Sequence, residues 1–195
     1  MTSATEEPGS LKDRQLALTR QLILDAAVEQ LESGDFAVTM RSVANRANIA
    51  ERTMFRHFAT REDLLDSLAA DVSARFQLPP LPATAAGLPG AVRGLYRAFE
   101  ARSNLTRAAL HSELFDRIRL SAAGERWRIV RALIDACAPH RSDRERMLVA
   151  ANIRYLLAAT SWHYYRFYFG FSLKDSIAAA ELAVAQAVEA LRADS

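Results

Sequence analysis

Five arginines, Arg41, Arg46, Arg52, Arg56 and Arg61, fall between Thr39 and Arg61 against one acid, Glu51, so a stretch the size of one motif carries a net charge of +4. A guanidinium offers five donors in a planar fork that fits phosphate oxygens and guanine edges. Their concentration gives this stretch the character of a surface that faces nucleic acid. The whole chain has a formal charge of only +2, which by itself is a weak pointer to a polyanion. The pointer is the local concentration of charge between Thr39 and Arg61.

Other reactive side chains are sparse. His111, Glu113 and His163 are the acid–base groups that an enzyme reading would have to use, in a helical protein with a buried pocket. His111 and Glu113 stand two residues apart, a spacing that does not share a helix face, and no His, Cys or carboxylate set has metal-ligand spacing. There is no glycine-rich phosphate loop and no nucleophile elbow. The sequence therefore predicts no catalytic residue, no metal and no cofactor. Cys137 is the single cysteine, unable to form an internal disulfide, and its apolar neighbours Leu133, Ile134 and Ala136 predict a buried structural role.

Half of the 195 residues are hydrophobic and a quarter charged, with 7 Gly and 6 Pro, the composition of a globular chain rich in helix formers. The opening MTSATEEPGSLKD is polar and acidic, so it reads as a tail over 1–10 rather than a signal peptide. No uncharged run approaches the length of a membrane span. A cytoplasmic protein without a membrane partner is expected.

The elements that must position the arginines follow from periodicity. Leu16, Ile23, Ala26, Ala27 and Leu31 predict a helix over 11–33, ended by Gly34 in a left-handed conformation. Thr39 is placed to cap a second helix whose Met40, Val43, Ala44 and Ala47 share one face. Asn48 supplies a positive-φ turn and Ile49 plugs it. Ala50, Met54 and Phe58 then line the inner face of a third helix, which turns Arg52 and Arg56 outward, with Thr53 and Phe55 on the shoulders. The pattern is a helix-turn-helix, with Thr39, Arg41 and Thr53 as donors at the groove walls. Thr60 and Asp63 resemble a capping box for a fourth helix, where Arg61 and the free amides of the first turn form a second phosphate site. Prolines between Leu78 and Pro89 then interrupt helical structure. We place a domain boundary there, giving 11–76 and 77–195.

The second part is helical throughout. Pro89 suits the first turn of a helix carrying Val92, Leu95, Tyr96 and Phe99. Ser121 is expected to cap a helix ended by Pro139. Ser142 and Glu145 form a capping box for one long helix running to about Phe169, on the order of 40 Å, which Gly170 breaks. Ser172 and Asp175 cap a last helix, so rich in alanine that more than one side must be buried, the extra side against another subunit. The aromatic run from Trp162 to Phe171 reads as core or interface, with a ligand-stacking wall as the alternative.

The order Thr39, Val43-Ala44, Asn48-Ile49-Ala50, Thr53-Met54-Phe55-Arg56-His57-Phe58 and Arg61-Glu62-Asp63-Leu64-Leu65 resembles the DNA-binding domain of the TetR family of bacterial repressors. The resemblance covers about the first 75 residues. Asn48 replaces the usual turn glycine, Ala50 the usual capping serine, Phe55 the usual tyrosine, and Arg52 a glycine or proline.

The resemblance implies an all-α protein of about nine helices, with an N-terminal three-helix DNA-binding domain and a C-terminal ligand-binding and dimerisation domain. It implies a homodimer joined through the last two helices. Arg52, Thr53, Phe55, Arg56 and His57 would meet a double-stranded operator, with Thr39, Arg41 and Arg61 on phosphates. Phe99, His111, Trp127, Asn152 and Tyr155 lie on helices that line the family's pocket, although each is equally explained as core. His163 joins them as a candidate from the aromatic run. The expected function is a ligand-responsive repressor of a palindromic operator, released by a small, largely apolar effector. A helical enzyme, or an adaptor that binds proteins through its aromatic helix, is the competing class.

Overall fold

The computed structural model describes residues 10–192, those at 121–123 by backbone alone. Nine of the ten residues of the expected tail lie outside the described set; the tenth, Ser10, caps the first helix. Every regular element among the described residues is helical. The chain divides into two compact units between Val72 and Ser73.

In the first unit, α1 (Leu11–Glu32) opens on a reciprocal capping box between Ser10 and Asp13 and buries Ile23, Leu24, Ala27, Val28 and Leu31. Leu16, expected on the same stripe, is exposed. Gly34 ends the helix at φ 90°, a left-handed turn. α2 (Met40–Arg46) follows a second capping box in which Thr39 accepts from the Ser42 amide while Ser42 serves the Thr39 amide. Asn48 takes φ 53°, which lets the Ile49 amide reach the Ala44 carbonyl at 3.0 Å and reverses the chain within two residues. α3 (Glu51–His57) starts at Ala50 without a side-chain cap. α4 (Arg61–Arg75) starts after Thr60, whose amide and hydroxyl bond Asp63. Val43, Ala44, Met54 and Phe58 are all 1% exposed or less, so the two short helices are fixed from beneath by a handful of apolar contacts.

In the second unit the proline-rich stretch leads through a 3₁₀ turn (Ala85–Gly87) into α5 (Leu88–Ala101), followed by α6 (Ser103–His111) and α7 (Leu114–Cys137). A Cβ on Gly94 would meet Pro79 Cγ at 3.1 Å, and one on Gly87 would meet Pro82 Cβ at 2.7 Å. Glycine at these positions lets the proline segment lie on the start of α5. α7 begins seven residues before Ser121 and runs through that position, because Ser112 and Glu113 already break the chain after α6. The expected start at Ser121 is thus corrected.

The expected single long helix is also corrected. It divides into α8 (Asp143–Leu156), α9 (Ala159–His163) and a π-helical segment (Tyr164–Tyr168). Ala158 is extended, at φ −95° and ψ 157°. The break is held by side chains: the buried Ser161 hydroxyl lies 2.8–3.1 Å from the carbonyls of Tyr155, Leu156 and Ala158. Tyr96 donates its hydroxyl to the Leu156 carbonyl at 3.0 Å. These groups serve carbonyls that a continuous helix would have paired with later amides. The break raises the expected nine helices to ten α-helices among the described residues, beside the 3₁₀ and π segments.

α10 (Leu173–Arg192) starts at Ser172, whose hydroxyl accepts from the Asp175 amide at 3.1 Å, and packs on α5 and α8. Ile177, Ala180, Val184, Val188 and Leu191 enter a core that also holds Leu95, Tyr96, Phe99, Ile134, Ile153 and Trp162. Its opposite face exposes Leu182. Trp162 is fully buried, and its indole donates to Glu100 at 3.0 Å, on the carboxylate that Arg166 also grips at 2.7 and 2.9 Å. Those bonds from Arg166 first, and then that from Trp162, hold the Glu100 carboxyl below the usual carboxylate range.

Candidate nucleic-acid interface and ligand cavity

The exposed side of α3 presents Arg52, Phe55 and Arg56, while Thr53 and His57 are half-buried at its edges. Burial of Met54 and Phe58 fixes this rotation, since residues one position away on a helix turn by about 100°. Among the described residues no acid pairs with Arg52 or Arg56, and both guanidinium groups stay available to a polyanion. Phe55 is 52% exposed, so its ring stands in solvent rather than against the core.

The flanking residues are more committed than their spacing suggests. Arg41 binds Glu51 through Nε at 2.8 Å, so the one acid of the stretch neutralises one of its arginines. Glu51 is itself exposed. Arg61 donates Nε to the Val38 carbonyl at 2.8 Å, which ties the start of α4 to the loop before α2. The Asp63 amide, in the first turn of α4, is already taken by Thr60 Oγ1 at 3.1 Å. Thr39 spends its hydroxyl and amide on Ser42. These three residues hold the frame of the site whatever else they touch.

One positioning residue was not legible in the spacing. Arg20, on α1, donates to the His57 carbonyl at 2.9 Å and to Ser67 Oγ at 2.6 Å, with its guanidinium 4.3 Å from the centre of the Phe58 ring. It closes the C-terminal end of α3, where carbonyls lack intrahelical partners. Burial, followed by the charges of Arg56 and Arg20, lowers the His57 imidazole from 6.5. In the free protein the uncharged imidazole is thus favoured at neutral pH.

The second unit contains a cavity of about 490 Å³. Of the six residues considered for ligand binding, Phe99, Trp127 and Tyr155 stand in its wall. Asn152 does not: Ala151, Arg154 and Tyr155 occupy the i, i+3, i+4 face of α8 that lines the space, and Asn152 is turned away from it. His111 and His163 also stand outside that wall and pair with each other, Nε2 to Nε2, at 3.2 Å. The ring contact is edge-on, and the buried His163 Nδ1 has no hydrogen-bond partner among the described residues. Fifty-two residues of chain separate the two histidines, so no local spacing could have shown the pair.

Three arginines line the cavity, none of which periodicity singled out: Arg119, Arg126 and Arg154. Arg119 is paired with Asp116 at 3.3 Å. Arg126 and Arg154 are half-buried, and among the described residues neither has a salt-bridge partner. Burial lowers the proton affinity of Arg126 against the opposing charge of Glu125; burial and then the charge of Arg126 lower that of Arg154. Guanidinium is so basic that both remain charged.

The family model described as bacterial regulatory proteins, tetR family, matches residues 23–68. Residues 23–68 thus match the N-terminal domain of the TetR family. The match lies in the first unit and covers the helix-turn-helix. There the chain is similar to tetracycline repressor protein class D of Escherichia coli, 37% identical over 67 residues, 34% of this chain and 31% of that protein. It is also 37% identical over 57 residues to the uncharacterized HTH-type transcriptional regulator YvkB of Bacillus subtilis, 29% of this chain and 30% of the relative. These matches span under a third of the length of either curated relative. Across nearly the whole chain, the fold is similar to that of the fatty acid degradation regulator FadR from Bacillus halodurans, with a TM-score of 0.59 at 16% identity, covering 91% of this chain and 96% of that one. The likeness concerns the fold. Among the described residues no helix is long and apolar enough to cross a membrane.

Proposed function

We propose that this chain is a TetR-family, ligand-responsive transcriptional repressor that binds a palindromic DNA operator as a homodimer and releases it when a small effector enters the cavity of the second unit. The observation that carries the reading is the exposed face of α3, where Arg52 and Arg56 stand unpaired by any acid on a helix fixed from below by Met54 and Phe58. In this reading Arg52, Thr53, Phe55, Arg56 and His57 meet the major groove, and Thr39, Arg41 and Arg61 lie on the phosphates. The exposed Leu182 face of α10 and the exposed aromatic rings of Tyr164, Tyr168 and Phe169 support a dimer through the last helices. No step requires a cofactor or a catalytic group, and a regulator that reads DNA would work in the cytoplasm.

The test is retardation of genomic DNA fragments by the purified protein, with affinity followed against salt. Arg56→Ala is expected to weaken binding and relax sequence discrimination, and Arg61→Ala to flatten the logarithmic salt slope by about one, the loss of one phosphate contact. Equal affinity and slope in Arg52→Ala and Arg56→Ala variants would remove the interface from α3.

A further inference from the structure

The cavity of the second unit has one feature that a purely apolar guest does not explain. Arg126, on α7, and Arg154, on α8, stand in the same wall, on helices that pack together, and close enough for the charge of one to disfavour the charge of the other. A half-desolvated guanidinium is costly unless it is paired, and two in one space repel. No carboxylate lines the cavity among the described residues. Of the hydroxyl residues in the wall, Thr106 is already committed to the carbonyls of Phe99 and Arg102, both at 3.0 Å. Apart from Thr160, the Tyr155 hydroxyl and Arg119, which Asp116 pairs, the rest of the wall is apolar and aromatic, with Phe99, Phe115, Trp127 and Leu157 on it.

We propose that the ligand of this cavity is an amphipathic anion, an apolar body ending in a single carboxylate or phosphate group that Arg126 and Arg154 grip together. The proposal rests on the reading of this cavity as the effector site and adds the chemical class of the effector. An anionic oxygen group between two guanidiniums relieves their repulsion and accepts charge-assisted, bidentate hydrogen bonds from both. An uncharged apolar guest would seal both cations away from water without a partner. A cationic guest would add a third positive charge. The volume lies in the range of small-molecule sites, and the aromatic and aliphatic wall buries the body while the arginines set its orientation.

The experiment is isothermal titration of the full-length protein with decanoate, decyl phosphate and decan-1-ol, each below its micelle-forming concentration, paired with release of bound DNA. At least one anion is expected to bind ten times or more tightly than the alcohol, and the comparison of the two anions identifies the head group. An Arg126→Gln/Arg154→Gln variant should bind the alcohol as the wild type does and lose the preference for the anion. An Arg126→Lys/Arg154→Lys variant should recover part of it, and near-ultraviolet circular dichroism checks that both variants are folded. Equal binding of anion and alcohol by the wild type, or an anion preference that survives in the glutamine variant, overturns the anionic assignment and leaves the cavity as an apolar ligand site. Failure of all three probes to bind overturns the assignment and the cavity reading together. Anion binding without DNA release supports the assignment and sinks the effector reading.

Discussion

Nη1 of Arg20 donates to the carbonyl oxygen of His57 at 2.9 Å, and Nη2 of the same guanidinium reaches Ser67 Oγ at 2.6 Å. One side chain of α1 thus holds the end of α3 and the middle of α4. A seven-residue helix has little cooperative stability of its own, so its pose depends on such tertiary attachments. Arg20→Met keeps the stem and removes both bonds, and is expected to cost about 1–3 kcal/mol in urea denaturation, the range for charged hydrogen bonds and the acceptors they leave. Arg20→Lys should recover only part, because an ammonium cannot span two acceptors in fork geometry. DNA affinity should fall in both variants with the salt slope unchanged, since the residue positions the helix without touching phosphate. An unchanged denaturation midpoint would show that the attachment is dispensable.

The Arg41–Glu51 pair makes a different prediction. It is exposed, with 77% and 48% of the side chains accessible, and exposed pairs contribute roughly 0–1 kcal/mol. Glu51→Gln should therefore leave stability nearly unchanged. It removes the only acid of the stretch and frees Arg41, so DNA affinity should rise and the logarithmic salt slope should steepen by about one. The check is a salt titration of operator affinity for the two proteins side by side. Lower affinity in the variant would mean that Glu51 holds Arg41 in its productive position.

Local rules reached far in this chain because its caps are written in single residues. Thr39, Thr60, Ser142 and Ser172 each start a helix as expected, Ser10 does so from within the expected tail, Ser121 does not, and Asn48 and Gly34 take the positive φ that their turns need. Periodicity located Val43, Met54 and Phe58 inside and so turned Arg52 and Arg56 outward. Beyond the expected start at Ser121, what failed was non-local. The break at Ala158 depends on Tyr96, sixty residues earlier, satisfying the carbonyl of Leu156. The pairing of His111 with His163 and of Arg41 with Glu51 joins different helices. Arg126 and Arg154 look like ordinary solvated arginines in a helical register, and only the packing of α7 on α8 places them in one cavity wall.

Ala50 stands at a helix start with φ −66° and ψ 143°, the backbone of an N-cap, and offers no acceptor to the first amides of α3. Ala50, expected on the inner face with Met54 and Phe58, is exposed because it precedes the first helical turn, so Ala50→Ser restores the missing acceptor without altering that face. It is expected to stabilise the first unit by about 1 kcal/mol, the usual value of a capping hydroxyl. Because α3 has only two turns, better order at its start should also reduce the spread of poses available to Arg52. The measurement is a pair of denaturation curves, with amide hydrogen exchange across 51–57 slowed in the variant. Unaltered exchange would show that the start of α3 is held by packing alone.

His163 gives the second unit a pH dependence with a definite sign. Burial first, then the charges of His111 and Arg107, lower its imidazole from 6.5. The folded state thus binds this proton more weakly than the unfolded chain does. Stability is full above the unfolded value and is lost as the pH falls below it through the lower folded value, because only the unfolded chain gains the proton easily. Scanning from about pH 8 to about pH 5, the range where histidine titrates, the denaturation midpoint of the wild type should fall. His163→Asn should flatten that decline, and His111→Asn should reduce it by removing one of the charges that oppose protonation. A wild-type decline retained in full by His163→Asn would assign the pH response to other groups and leave the histidine pair electrostatically silent.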